Sequence, residues 1–566
     1  MRAPRKPLIL HSRLRAAALA FLAAGTGTRA QLAVLPLPRS LASTPGCLRL
    51  AEGFAITAAG GGGGSSDSLL AGAMARASSV VATAGARGES VLPAACAAPA
   101  DGSLAALRVG VASPRSAPFP AAGDDESYAL HLSGAGGATL EAQTVWGAMR
   151  GLETFTQLVS AAAAGASVAQ LFVPAATVDV NDEPRWTHRG LMLDTGRAFL
   201  PVSVINASLD AMSYLKLNVL HWHISDDQAF PLSSSTWPNL TMGAMQAPAT
   251  SHVYSAADVR GVVLAAQARG IRVVPELDVP GHATSWFFGY PSLRTDCELP
   301  PTSEFSKPMD PTRDGTYSFL GALFDELHGV FPDELFHVGG DEVEMTCWAN
   351  SSSVAAFMAA HGIATFPLLQ LYFEQRVAAL LRGDRRAVVW EANSGNASAY
   401  PASAVVEVWK ERHGDNSVLE ALARQGFTLL YTTPDWYLDY PTLSVGYDYH
   451  INGDAQWQFV HSVDPLANTT LSPAQQALLL GGEVAMWSPY EDATNVLPTI
   501  FPRAAAVAER LWSAAGPAVD EPGALLARMR AVRCRLVARG IAAAPVALGD
   551  SCPNPFTPVY VPPFPL

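Results

Sequence analysis

Charge is scarce in this chain, and positive charge is scarcest: 15% of its 566 residues are Asp, Glu, Lys or Arg, with 37 basic against 50 acidic side chains. The formal charge of −13, with no cluster of Lys and Arg beyond the first residues, lacks the electrostatic footprint that nucleic-acid phosphates require. Long hydrophobic runs are missing too. The best candidate, Ala16 to Ala24, falls short of the roughly 20 apolar residues that cross a bilayer, and nothing later approaches that length. Disorder is excluded from the other side, because 49% of the residues are hydrophobic. A chain this long exceeds one compact core, so a small domain joined to a large one is expected.

Residues 1–30 place Arg2, Arg5, Lys6, Arg13 and Arg15 ahead of the short apolar run, then small residues up to Ala30. That is the order of a secretory signal peptide, with a retained anchor as the alternative. Sequons at Asn206, Asn239, Asn350, Asn396 and Asn468 fit passage through the secretory pathway if they lie on surface loops. The six cysteines form an even set, as an oxidising compartment favours. A sequence-local pairing is expected, Cys47 with Cys96, Cys297 with Cys347 and Cys534 with Cys552, because each pair falls within one structural neighbourhood.

Residues 31–183 are rich in Ala, Gly and Ser, include the run Gly60 to Gly64, and read as a small α/β domain. Leu107 to Val111 and Tyr128 to Leu132 read as strands and Ala142 to Leu158 as a helix. From residue 184 to the end, short apolar runs alternate with segments of helical period. Eight strands are expected, at Gly190–Asp194, Asn218–Ile224, Ile271–Leu277, Leu335–Val338, Ala387–Glu391, Val405–Trp409, Phe427–Tyr431 and Glu483–Trp487. Helices are expected after Pro201, over Ser255–Arg269 and over Tyr317–Val330. The fold class is therefore α/β: a C-terminal (β/α)8 barrel, with a C-terminal extension, preceded by the smaller α/β domain.

In such a barrel, function gathers where the strands end at the carboxyl face. There the chain places Asp194, Arg197, His223, Asp226, Asp278, His282, Asp341, Glu342, Trp390, Glu391, Trp409, Tyr437 and Trp487, whereas the strand interiors read as an apolar core. The sharpest element is His337–Glu342, a strand running through Gly339 and Gly340 into two adjacent acids. Side by side in a partly desolvated cleft, two such acids resist ionising together, and the one that keeps its proton is suited to protonate a glycosidic oxygen. Trp390, Trp409 and Trp487 offer flat apolar rings to a sugar or a small acyl group. His221 and His223 share one side of a strand and could meet a metal, but no further His or Cys spacing completes a zinc site, so a structural role is preferred for them and neither a metal nor a cofactor is expected.

In the segments Trp146–Phe155, Arg189–Arg197, Lys216–His223, Pro280–His282, Gly339–Glu342 and Ala506–Trp512, the chain resembles the family 20 glycoside hydrolases, in particular eukaryotic β-hexosaminidases of lysosomes, vacuoles and secretions. The resemblance implies removal of terminal β-linked N-acetylglucosamine or N-acetylgalactosamine from glycans, with the substrate's own acetamido group attacking and the configuration retained. It implies Glu342 as acid and base, Asp341 as the group orienting the acetamido, and Arg197, Asp226, His282, Trp390, Trp409, Tyr437, Asp439 and Trp487 around the sugar. It also places disulfides at the three cysteine pairs and allows for a homodimer. Two positions depart from or qualify the pattern. Pro489 stands where the family has an acid two residues after the tryptophan, with Glu491 as a candidate substitute, and Asp439–Tyr440 resembles the type that handles neutral substrates. The alternatives are an inactive glycan-binding protein that kept the pocket, and a metal-dependent barrel hydrolase.

Overall fold

The computed structural model describes residues 32–59, 67–87, 96, 102–113, 118–161, 171–245, 252–298, 307–391, 400–401, 403–411, 414–439, 456–547 and 549–552. Residues 1–30, the Gly60–Gly64 run, Asn396 and Tyr440 lie outside these. Among the described residues no single helix is long and apolar enough to cross a membrane.

The first domain is one eight-stranded sheet. Its strands are β1 (Ser40–Thr44), β2 (Leu48–Ala58), β3 (Gly102–Val111), β4 (Tyr128–Ser133), β5 (Gly137–Ala142), β6 (Ser160–Ala161), β7 (Leu171–Val173) and β8 (Thr177–Asp182), in the order β1-β8-β4-β5-β3-β2-β7-β6. Helices Ser68–Arg87 and Val145–Leu158 pack on the sheet and on each other. The second starts cleanly because the Thr144 hydroxyl accepts the Gly147 N–H at 3.2 Å, an N-cap bond that satisfies an otherwise orphaned donor. Val145–Leu158 is buried almost throughout, since its outer face meets the barrel. There Arg150 donates to the carbonyl oxygens of Arg269 and Gly270 at 3.1 and 2.6 Å.

The second domain is a closed parallel barrel of β9 (His188–Asp194), β10 (Val219–Ser225), β11 (Arg272–Leu277), β12 (Leu335–His337), β13 (Arg386–Trp390), β14 (Val405–Val408), β15 (Thr428–Tyr431) and β16 (Leu479–Met486), with β16 pairing back onto β9. Each of the eight expected strands is present. Helices Val202–Tyr214, Ala256–Gln267 and Asp314–His328 stand where the apolar period placed them.

Strand alternation divides the barrel interior into layers. Val219, Val274, Leu335, Val388, Val405 and Leu430 cluster as an apolar plug. Two residues further along their strands, His221, Glu276, His337, Trp390 and Glu407 form a polar layer. This corrects the expectation of apolar strand interiors, because a buried polar layer follows the apolar one. That polar layer is charged, and is affordable because its members pair with one another.

The domains are joined by buried ion pairs. Glu126 takes Arg150 and Arg189 at 2.7 and 2.6 Å, while Asp182 takes Lys216 at 2.7 Å, Tyr128 at 2.6 Å and the Trp512 indole at 3.0 Å. Four of the segments that carry the family resemblance therefore serve this joint as well as, or instead of, the pocket. All three cysteine pairs are bonded as expected. Asn239, Asn350 and Asn468 are exposed, whereas Asn206 is half-buried inside helix Val202–Tyr214 rather than on a loop.

Candidate active site

The turn after β12 is built by its glycines. Gly339 has φ 68°, and a Cβ there would lie 1.7 Å from Asp278 Oδ1, so no side chain fits. Gly340, with φ 98°, gives its N–H to Asp278 Oδ1 at 2.9 Å, and the Gly339 carbonyl receives the Trp390 N–H at 3.0 Å. Glu342 follows with φ 47°, a left-handed conformation that costs on the order of 1–3 kcal/mol for a non-glycine residue and persists where its surroundings impose it. The Asp341 side chain is 13% exposed and the Glu342 side chain 61%. The partly desolvated cleft expected for both acids thus holds for Asp341, while Glu342 stands at the opening.

His282, itself at φ 48°, connects these acids to a buried polar chain. Its Nε2 lies 3.8 Å from Asp341 Oδ2 and 3.7 Å from Glu342 Oε2, and its Nδ1 lies 3.2 Å from Asp226 Oδ1. Asp226 Oδ2 in turn meets Arg197 at 2.8 Å and His223 Nε2 at 3.0 Å. Asp194 Oδ2 takes the other arm of Arg197 at 3.2 Å and the Ser488 N–H at 3.1 Å. Burial opposes charge on Asp226, but the His282 imidazolium, the two histidine hydrogen bonds and Arg197 hold it well below the usual carboxylate range. Burial also opposes charge on His282, yet Asp278, Asp226 and Asp341 raise it well above the ordinary imidazole value. Asp278 goes the other way: burial and the neighbouring Asp341 push it well above the carboxylate range. The site thus alternates fixed positive and negative groups up to the two acids. Asp194 and Asp278 were visible as strand-end acids, but nothing in their spacing indicated these partners.

The aromatic side chains gather against this chain of charges. Met192, Tyr437, Ala485, Trp409 and Trp487 form one cluster, and the Trp487 ring lies 4.8 Å beneath the Arg197 guanidinium and 5.9 Å from the rings of Trp390 and Tyr437. The Trp409 indole is fixed to the Glu391 carbonyl at 2.8 Å. Trp390 sits deeper than a wall residue is expected to: it is 2% exposed, and its indole donates to Glu276 at 2.7 Å. Asp439 lies at the edge of this group, its carboxyl pushed up to about 7 by burial, then by Glu491, with Arg197 opposing. Pro489 faces solvent, while Glu491 turns back to 8% exposure and is raised by burial.

All the residues proposed for the site from the sequence therefore converge on one end of the barrel. The residue that spacing did not reveal is Glu276. Its Oε2 meets His223 Nδ1 at 2.6 Å and His221 Nε2 at 2.8 Å, and its Oε1 meets His337 Nδ1 at 3.1 Å. His221, Glu276 and His337 bring donor atoms within 4.8 Å of one another, as do Asp226, Asp227 and His282, and also Asp278, His282 and Asp341. The members of the first set lie on three different strands, so no spacing along the chain announces it. In the first set Glu276 lies at ion-pair distance from both imidazoles, 2.8 Å from His221 and 3.1 Å from His337.

Residues 186–515 match the family described as glycosyl hydrolase family 20, catalytic domain, and residues 34–158 match that described as beta-acetyl hexosaminidase like. The chain is 40% identical to beta-hexosaminidase subunit beta of Mus musculus over 76% of each chain. It is 39% identical to beta-hexosaminidase subunit alpha of Bos taurus, over 78% of this chain and 80% of that one. Among solved structures it resembles the Flavobacterium johnsoniae chitobiase, with a TM-score of 0.73, 26% identity and coverage of 90% of this chain and 73% of the other. It also resembles the Streptomyces plicatus N-acetyl-β-hexosaminidase in complex with thio-NAglucal, with a TM-score of 0.67, 25% identity and coverage of 92% and 97%.

Proposed function

The chain belongs to glycosyl hydrolase family 20 and is an exo-β-N-acetylhexosaminidase, and we propose that its reaction is retaining and substrate-assisted, with Glu342 as acid and base and Asp341 as the acetamido partner. The observation that carries this reading is the Gly339–Glu342 turn, which sets two acids side by side but in different surroundings, Asp341 13% exposed and Glu342 61%. In the first step the acetamido carbonyl oxygen bonds to the anomeric carbon. The bond to the leaving oxygen breaks, and that oxygen takes the Glu342 proton. Positive charge then resides on the oxazolinium ring, where the half-buried Asp341 carboxylate stabilises it without becoming a nucleophile. In the second step the Glu342 carboxylate takes a proton from water as the water oxygen opens the ring at the same carbon. Asp226, fixed by Arg197 and His223, holds His282 against both acids.

Arg197 and Asp439 are placed to bind sugar hydroxyls, with Glu491 supplying the carboxylate that Pro489 cannot. Trp390, Trp409, Trp487 and Tyr437 enclose the acetamido side. The pair Asp439–Tyr440, where the sequence resembles the type that handles neutral substrates, supports a preference for uncharged terminal sugars. Comparable turnover of neutral and 6-sulfated arylglycosides contradicts that preference. The three disulfides suit a protein of the secretory pathway, and we assign it to a lysosome, a vacuole or the exterior.

The test is hydrolysis of 4-nitrophenyl N-acetyl-β-D-glucosaminide and its galacto epimer by wild type and Glu342→Gln. The expected result is collapse of turnover in the variant, with the β-anomer released first by the wild type. Release of the α-anomer overturns the retaining mechanism, and a folded but inert wild type moves the reading to a glycan-binding protein.

A further inference from the structure

The turn that carries Asp341 and Glu342 is held from behind by helix Phe366–Ala378. From this helix the buried Gln370 donates through Nε2 to the Gly340 carbonyl at 2.5 Å and to Glu374 Oε1 at 2.7 Å. A primary amide has two N–H groups, so both are engaged and the amide plane is fixed. Glu374, one helical turn along, closes the space: a Cβ on Gly340 would come within 3.0 Å of its Oε1. Burial pushes Glu374 up to about 8, so in acidic and neutral solution it places no further anion behind Asp341.

On the other side Asp278 takes the Gly340 N–H. The peptide groups before and after Gly340 are therefore gripped from opposite directions. Gly339, Gly340 and Glu342 all have positive φ, at 68°, 98° and 47°, so the backbone has little local preference for this path and depends on such contacts.

Building on the reading of Glu342 as general acid, we propose that Gln370, backed by Glu374, is a positioning residue whose bond to the Gly340 carbonyl sets the direction from which Glu342 reaches the glycosidic oxygen. Without that bond the peptide after Gly340 is free to rotate, and the acid two residues on loses its aim. The deficit is selective. An alkoxide leaving group needs the proton, whereas a dinitrophenolate leaves without it, so a misplaced acid slows the first substrate far more than the second. A general loss of stability or of binding slows both alike.

The experiment compares N,N′-diacetylchitobiose with 2,4-dinitrophenyl N-acetyl-β-D-glucosaminide in wild type, Gln370→Met, Glu374→Met and Glu342→Gln. Methionine keeps the length of Gln370 and removes both donors. We expect kcat/KM, which reports the steps through departure of the leaving group, to fall about ten- to a hundredfold on chitobiose in Gln370→Met, the range that a displacement near 1 Å costs, while that for the dinitrophenyl substrate changes by less than about threefold. Glu374→Met shows the same selectivity more weakly, and decides the matter if Gln370→Met does not fold. Equal losses on both substrates, or no loss, overturn the positioning role. Glu342→Gln separates the two levels: it must show the same selectivity in a stronger form, and if it does not, the assignment of the acid fails rather than the support beneath it.

Discussion

Glu276→Gln changes one atom at the centre of the barrel and is expected to be among the most damaging single substitutions in the chain. The carboxylate is 0% exposed, hydrogen-bonds to the Trp390 indole at 2.7 Å and to His223 at 2.6 Å, and lies at ion-pair distance from His221, at 2.8 Å, and His337, at 3.1 Å. The last three are imidazoles. Burial works against charging them, but the surrounding carboxylates raise His221 well above its ordinary range and His223 to about 10. Glutamine can accept at one end only, and its amide turns N–H groups toward N–H groups at the other. With the amide nitrogen toward His223, a charged hydrogen bond worth about 1.5–3 kcal/mol is lost together with the ion pair to His221. That agrees with the about 3–5 kcal/mol expected when one partner of a buried ion pair is removed.

The pH window for this measurement follows from the directions of the shifts. Burial would raise Glu276, but the three histidines hold it well below the carboxylate range, so its contribution is complete above about pH 4.5 and lost only as pH falls well below that. The raised histidines contribute fully below about pH 6.5 and lose that contribution as pH rises toward their folded values. Urea unfolding between about pH 5 and 6 should therefore show the full difference between wild type and variant. Because the carboxylate also fixes Trp390, KM for N-acetyl substrates should rise and indole emission should shift. A stability difference below about 1 kcal/mol with unchanged emission would refute the idea that this layer acts as one ionic unit.

Glu374, raised to about 8 by burial, keeps its proton in the folded chain where the unfolded chain releases it near pH 4.5, so its contribution is complete below about 4.5 and declines as pH rises to about 8. Glu374→Gln should flatten that decline between pH 5 and 8, and parallel declines in the two proteins would contradict it. Removing Cys297–Cys347, with a sequence separation of 50, should cost about 4 kcal/mol on the chain-entropy model, against about 3 for Cys534–Cys552, with a separation of 18. Midpoints in the reverse order would count against the model. Prolonged EDTA treatment should leave kcat/KM unchanged, and activity lost to EDTA and restored by a divalent ion would identify one of the histidine–carboxylate groups as a metal site.

What was legible in the sequence depended on whether the relevant contacts run along the chain or across it. Barrel strands such as Val219–Ser225 and Arg272–Leu277 are buried on both faces, so they stand out as compact runs between helical segments, and their ends could be read almost to the residue. Much of the first sheet could not. Strands such as Gly137–Ala142 and Thr177–Asp182 alternate in burial, but short side chains and single polar residues weaken the pattern. The pocket divides the same way. Asp341 and Glu342 are neighbours in sequence and follow two glycines, so their chemistry was readable. Glu276 lies within a run that reads as an apolar strand, and its partners lie on β10, β12 and β13. Gln370 looks like any polar residue of a surface helix until the fold brings it to Gly340, 30 positions away. The groups that perform chemistry had to be placed at strand ends, where the barrel leaves them accessible, and so followed a rule that sequence can express. The groups that hold them in place had only to be near, and any element passing behind the turn could have supplied them.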